Sequence, residues 1–174
     1  MSYAEHKQKS KDTPVTCAVL TVSDTRTPDT DASGALLRKR LGDAGHEVTH
    51  YAIVPDDAGA IRAQLAAWGG EVEVVVTTGG TGIARRDTTV EVAEALFEKT
   101  IPGFGELFRM LSFEEIGAGA MLSRAAAGVY GDAPTLLFCC PGSRNAVALA
   151  ADRLIVPELR HLVWEIVRQQ TSGG

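Results

Sequence analysis

The 174-residue chain lacks zinc-type Cys or His spacings, any apolar run long enough to cross a bilayer, and an excess of basic side chains. Each absence removes a class of function. Lys and Arg total 17 against 22 Asp and Glu, a net charge of −5 with both signs interspersed, so no broad basic field points to nucleic acid or an anionic membrane. An anionic ligand would need a local site. The three cysteines are an odd number, and Cys139 and Cys140 are neighbours inside an apolar run, which suits reduced core thiols in a cytoplasmic protein. Two phosphate-binding fingerprints are also missing. Counting G-x-G-x-x-G from Gly80 puts Arg85 at the third glycine, and the phosphate loop G-x-x-x-x-G-K-[ST] meets Ala84 or Arg85 where its second glycine belongs.

Residues 1–13 are polar, carry Lys7, Lys9 and Lys11, and are expected to form a mobile arm, not a signal peptide. Residues 14–170 have the length of one domain, and residues 171–174 are expected to be a flexible tail.

The organising stretch is Val72 to Val90. Val72, Val74, Val75 and Val76 are β-branched and nearly continuous, as in a parallel strand buried on both faces. Gly79, Gly80 and Gly82 follow, where a backbone without Cβ can turn sharply and approach a ligand. Thr88-Thr-Val-Glu91 reads as a capping box, so Asp87 stands at a strand-to-helix mouth. A tight turn with a salt-bridged Asp is the bland alternative.

The same unit recurs on either side. Residues 15–22 read as a strand, followed by a polar loop with Asp24 and a helix through Leu36, Leu37 and Leu41. Residues 46–54 read as a second strand, after which Asp57 can cap a helix with Ile61, Leu65 and Trp68 on one face. Parallel strands with right-handed crossovers would put Asp24, Asp56 and Asp87 on one rim. The helix from Thr88 is expected to end near Lys99, and another runs through Phe104, Leu107, Phe108 and Leu111. Residues 122–130 and 135–140 look like a hairpin that makes the sheet mixed. Pro141 and Gly142 form a second turn, with Ser143 placed to cap a helix, and Pro157 starts or kinks the last helix. None of the four histidines falls on the expected rim loops.

Taken together, Ser23-Asp-Thr-Arg26, Asp31-Ala-Ser-Gly34, Thr78-Gly-Gly-Thr-Gly82, Arg86-Asp87, Pro102-Gly-Phe-Gly-Glu106, Leu122-Ser-Arg124, Ala127-Gly128 and Pro141-Gly142 resemble the MoaB/MogA family of molybdenum cofactor biosynthesis proteins, which includes the G domain of gephyrin. Phe108-Arg-Met-Leu-Ser-Phe-Glu-Glu-Ile-Gly117 is similar to the MoaB branch. The resemblance implies a three-layer α/β/α domain with a mostly parallel mixed sheet and a hairpin in its C-terminal half. It implies a homotrimer or hexamer that binds molybdopterin and adenylylates its terminal phosphate with Mg-ATP, upstream of a metal-insertion protein. By the same resemblance, Asp56 and Asp87 are catalytic and hold Mg²⁺. Ser23, Asp24, Asp31, Gly79, Gly80, Thr81 and Gly82 fall on the nucleotide side, and Ser123, Arg124, Pro141, Gly142 and Ser143 on the pterin side. The chain departs from the family's Pro-Gly turn at Ser143-Arg144. A catalytically silent pterin-binding copy is the rival expectation, and the presence of both Asp56 and Asp87 speaks against it.

Overall fold

The computed structural model describes residues 2–9 and 13–168. Its centre is a six-stranded sheet in the order β2-β1-β3-β6-β5-β4. The strands are β1 (Thr16–Val22), β2 (Glu47–Val54), β3 (Val74–Thr78), β4 (Phe97–Thr100), β5 (Ala126–Tyr130) and β6 (Thr135–Cys140). The first four in spatial order run parallel, while β5 is antiparallel to both β6 and β4. β3 is central and every residue of it is buried.

Side chains alternate between two cores because successive Cβ atoms on a strand point to opposite faces. Cys17 and Val19 of β1, Val74 and Val76 of β3, and Leu136, Phe138 and Cys140 of β6 face one core. α2 (Ala32–Asp43) closes it with Leu37 and Leu41, α5 (Pro102–Ile116) with Phe104 and Phe108, and α7 (Val156–Val163) with Leu159. Ala18, Leu20, Val75, Leu137 and Cys139 face the other, beneath Ile61, Leu65 and Trp68 of α3 (Ala58–Trp68) and Val92 and Ala93 of α4 (Thr89–Leu96). The expected three-layer mixed α/β architecture and its hairpin are thus present, and all three cysteines are buried and reduced.

Three local expectations are corrected. α1 (Tyr3–Lys9) is helical where a mobile arm was expected. Tyr3 Oη and Lys7 Nζ both donate to Glu158 of α7, at 2.7 and 2.5 Å, and the Tyr3 ring meets His161 edge-on. Met1, residues 10–12 and the 171–174 tail lie outside the described residues. The helix after Thr88 stops at Leu96, not near Lys99, because Phe97 and Lys99 pair with Tyr130 and Val129 across the sheet edge. The capping box does not form: Thr88 caps nothing with its side chain, and Glu91 is drawn instead to Arg124. Pro157 stands in the first turn of the last helix, as expected. α6 (Arg144–Ala150) runs on into α7 through a wider π turn at Ala151–Ile155, with α-like dihedrals throughout the junction. A π turn adjusts the ladder where proline brings no N–H.

Candidate active-site cleft

The parallel strands set the site. The chain leaves β1 towards β2 and α2, while β3 continues to the other side, so the sheet has its switch point between β1 and β3. Open α/β sheets bind ligands at that point, beyond the carboxyl ends of the strands. A cleft of about 480 Å³ lies there, between the loops after β1, β2, β3 and β6 and the segment at Leu122 and Ser123.

Its wall is the glycine turn. Gly79 and Gly80 have φ of 103° and 69°, in the left-handed region that favours glycine. Space demands them too: a Cβ on Gly79 would stand 2.2 Å from the Val22 carbonyl oxygen, and one on Gly80 would stand 2.1 Å from Thr89 Oγ1. Gly79 N–H donates to the Cys140 carbonyl, and Thr89 N–H donates to the Gly80 carbonyl. The turn therefore ties β3 to both β6 and the start of α4.

Acidic side chains stand beside this turn, with Asp87 against Gly82 and Asp56 near Gly80. Asp24 Oδ1 accepts from the backbone N–H of Asp56 at 2.9 Å, which joins the loops after β1 and β2. Asp87 Oδ2 accepts from Ala84 N–H at 2.9 Å, folding residues 84–87 back on themselves. Asp56 Oδ1 is buried and has no hydrogen-bond partner, and the hydroxyls of Thr88 and Thr89 are buried and unpartnered as well. The Asp56 carboxyl is held above its ordinary value by burial first and then by the charges of Asp87 and Asp24, against a lowering by the Thr88 N–H and Arg86. A buried carboxyl raised by neighbouring carboxylates in this way marks a site that favours positive charge. Among the described residues, no three His, Cys, Asp or Glu side chains come close enough to hold a metal ion unaided.

Most residues expected at the site meet in this cleft. Ser23, Asp24, Asp56, the 79–82 turn, Asp87, Ser123, Pro141 and Gly142 all line it. Three do not. Asp31 is buried as the cap of α2, accepting from Gly34 N–H, Thr21 Oγ1 and Tyr51 Oη. It lines only a narrower crevice beside the cleft. Ser143 Oγ caps α6 by accepting from Ala146 N–H at 3.2 Å. The Arg124 guanidinium lies behind the glycine turn, on Glu91 and the Gly82 and Asp87 carbonyls. Arg86, Thr25 and Leu122 also line the cleft and were missed. The sequence signal for Arg86 was its place beside Asp87.

The fold and the cleft define a small-ligand-binding α/β domain with a polar, acid-rimmed site at its switch point. Residues 18–161 match the family model described as a probable molybdopterin binding domain, and the chain belongs to that family. It is 51% identical over 172 residues to molybdenum cofactor biosynthesis protein B of Staphylococcus carnosus (strain TM300), covering 97% of this chain and 100% of that one. A crystal structure of a molybdenum cofactor biosynthesis protein B superposes with a TM-score of 0.84 at 51% identity, over 88% of this chain and 96% of the other. The tungsten cofactor synthesizing protein MoaB from Pyrococcus furiosus superposes at 0.76 with 39% identity, over 87% and 96%.

Proposed function

We propose that this chain acts in molybdenum cofactor biosynthesis by adenylylating the terminal phosphate of molybdopterin with Mg-ATP. The observation that carries the reading is Asp56 Oδ1, a buried carboxylate oxygen without a donor, on a side chain that lines a glycine-walled cleft bordered also by Asp24 and Asp87. Membership of a molybdopterin-binding family supports the pterin half of the substrate pair.

In this reaction an oxygen of the pterin phosphate attacks the α-phosphorus of ATP, the bond to the β-phosphate oxygen breaks, and pyrophosphate leaves. The second pKa of a phosphate is about 6, so the attacking group is already largely ionised and needs no strong base. Positioning and charge neutralisation remain as the protein's task.

The donor set fits Mg²⁺, a hard cation that takes one or two carboxylates and completes its shell with phosphate oxygens and water. When bound, it would neutralise developing charge on the phosphates, with Asp56 and Asp87 as its protein ligands. The backbone of residues 79–82 approaches the phosphates because no side chain stands in the way. Ser123, Pro141 and Gly142 border the pterin end. Thr78 Oγ1 and Ser33 Oγ seat that turn by donating to the Pro141 and Gly142 carbonyls, at 3.0 and 2.9 Å.

We also read the chain as a homo-oligomer of trimeric or hexameric type, supported by the apolar side chains that α5 leaves exposed. The last helix turns Leu159 and Val163 into the core of its own chain.

The test is incubation with molybdopterin and labelled ATP, with and without Mg²⁺. Asp87→Asn keeps an oxygen for Ala84 N–H and should keep the fold. Pyrophosphate release should fall about 10²- to 10³-fold while molybdopterin still binds. Wild-type turnover in Asp87→Asn would remove the metal role and favour a silent pterin-binding protein.

A further inference from the structure

We infer that Arg124 is a positioning residue, which braces the catalytic loop from behind and does not contact pterin. The kinetic part rests on the adenylylation reading above; the geometry does not.

The argument starts from what the guanidinium touches. Its Nε donates to the Gly82 carbonyl at 2.8 Å and Nη2 to the Asp87 carbonyl at 2.9 Å. The backbone N–H of Arg124 adds a bond to the Thr81 carbonyl at 3.1 Å. One residue therefore holds both ends of residues 81–87, the loop that carries Arg86 and Asp87 into the cleft. Between those ends the loop is bonded chiefly to itself, through the Ala84 and Asp87 contacts, and residues 83–86 are exposed. Glu91, in the first turn of α4, accepts from Nη1 and Nη2 and fixes the guanidinium in place.

A planar trans peptide carries the brace one step further. When a carbonyl points one way, the N–H of the same peptide points the other. The carbonyl of the Asp87–Thr88 peptide is on Arg124, and its N–H, that of Thr88, is the backbone group that works against the rise of the Asp56 carboxyl. Arg124 thus orients the backbone of one cleft carboxylate and, through the same peptide plane, a backbone dipole that acts on the other. A fork of this shape is a property of arginine; lysine brings the charge without the two directed donors. All three nitrogens are engaged on carbonyls or Glu91, and the guanidinium does not line the cleft.

Trypsin provides a readout independent of catalysis, since Arg85 and Arg86 stand exposed in the braced loop. In Arg124→Gln, nicking after these residues well below the melting temperature should rise about tenfold, the effect of losing charge-assisted bonds at both loop ends. Turnover at saturation should fall about 100-fold, as misplacement of catalytic groups by an ångström does. The Mg²⁺ concentration for half-maximal rate should rise, and the KM for molybdopterin should stay unchanged. Arg124→Lys should lie between variant and wild type on every measure. Glu91→Gln leaves the loop bonds and loosens only their anchor; it should shift nicking the same way, about threefold, and decides the matter should Arg124→Gln not fold. Unchanged nicking in these variants would overturn the brace. A raised pterin KM at unchanged saturated turnover would overturn it too, by making Arg124 a ligand contact. Absence of turnover in the wild-type chain would remove the adenylylation reading, and the nicking comparison would still decide whether Arg124 holds the loop.

Discussion

Asp56 sets the electrostatics of the cleft, and its sign has a measurable consequence. Burial, then Asp87 and Asp24, raise its pKa in the folded chain. The folded state therefore binds this proton more readily than the unfolded one, so the group lowers stability as pH rises through the carboxylate range and keeps it lower at neutral pH. Asp56→Asn should raise the melting temperature at pH 7.5 by about 2 °C, the scale expected of a partly solvated charge in a chain this long. The gain should vanish below about pH 4, where both states of the wild-type carboxyl are protonated. Mg²⁺ should raise the wild-type melting temperature and leave the variant's unchanged. A variant that melts below wild type at pH 7.5 would mean that the carboxylate is stabilised in the free chain. Asp56 and Asp87 were legible in the sequence because each directly follows or precedes a turn at a strand-to-helix junction, where local pattern alone fixes the position. Ser143 was legible as a helix cap for the same reason, and capping occupies its oxygen as it does Oδ1 of Asp31. The task of Arg124 was not legible: its three carbonyl partners belong to a loop some forty residues earlier, and only the tertiary approach of the two segments brings them together.

At the scale of elements, periodicity identified what buries an apolar face and missed what does not. The core strands and α2, α3 and α5 were legible from their alternation or stripes. β4 was not, because Phe97–Thr100 has one apolar residue in four and owes its conformation to pairing with β5. The same limit applies to α1, whose Tyr3–Lys9 sequence carries no stripe and which meets α7 through polar contacts to Glu158 and the edge of the Tyr3 ring on His161. Exposed ion pairs of this kind contribute about 0–1 kcal/mol. Deleting residues 1–13 should therefore lower the melting temperature by no more than about 3 °C. Turnover should not change, since Glu158 lies on α7 beside Arg160, which reaches the Ala44 carbonyl at the end of α2 remote from the cleft. A larger loss of stability, or any loss of turnover, would assign α1 a part in the core or the site.

For the whole molecule, the question is what covers α5. Its inner side is well buried through Phe104, Phe108 and Leu111, yet Leu107, Met110, Phe113 and Ile116 are exposed, and Met121 and Leu122 continue the apolar surface on the following turn. Single exposed apolar residues are ordinary, whereas six large ones on adjoining turns make a patch of the kind that interfaces cover. Leu122 also borders the cleft, so a second copy seated on this face would stand next to the site. The proposed homo-oligomer should therefore assemble through α5. Wild-type chain at tens of micromolar should sediment as a multiple of 18.4 kDa. Phe113→Asp places a charge where the side chain is 60% exposed, so the fold should persist while the particle falls to a single chain. Arg62→Glu, on the exposed side of α3, should leave the assembly intact. A monomeric wild type at that concentration would remove the oligomer from the reading. Assembly that survives Phe113→Asp but not Arg62→Glu would move the interface to the opposite layer, and the apolar surface of α5 would then require a different partner.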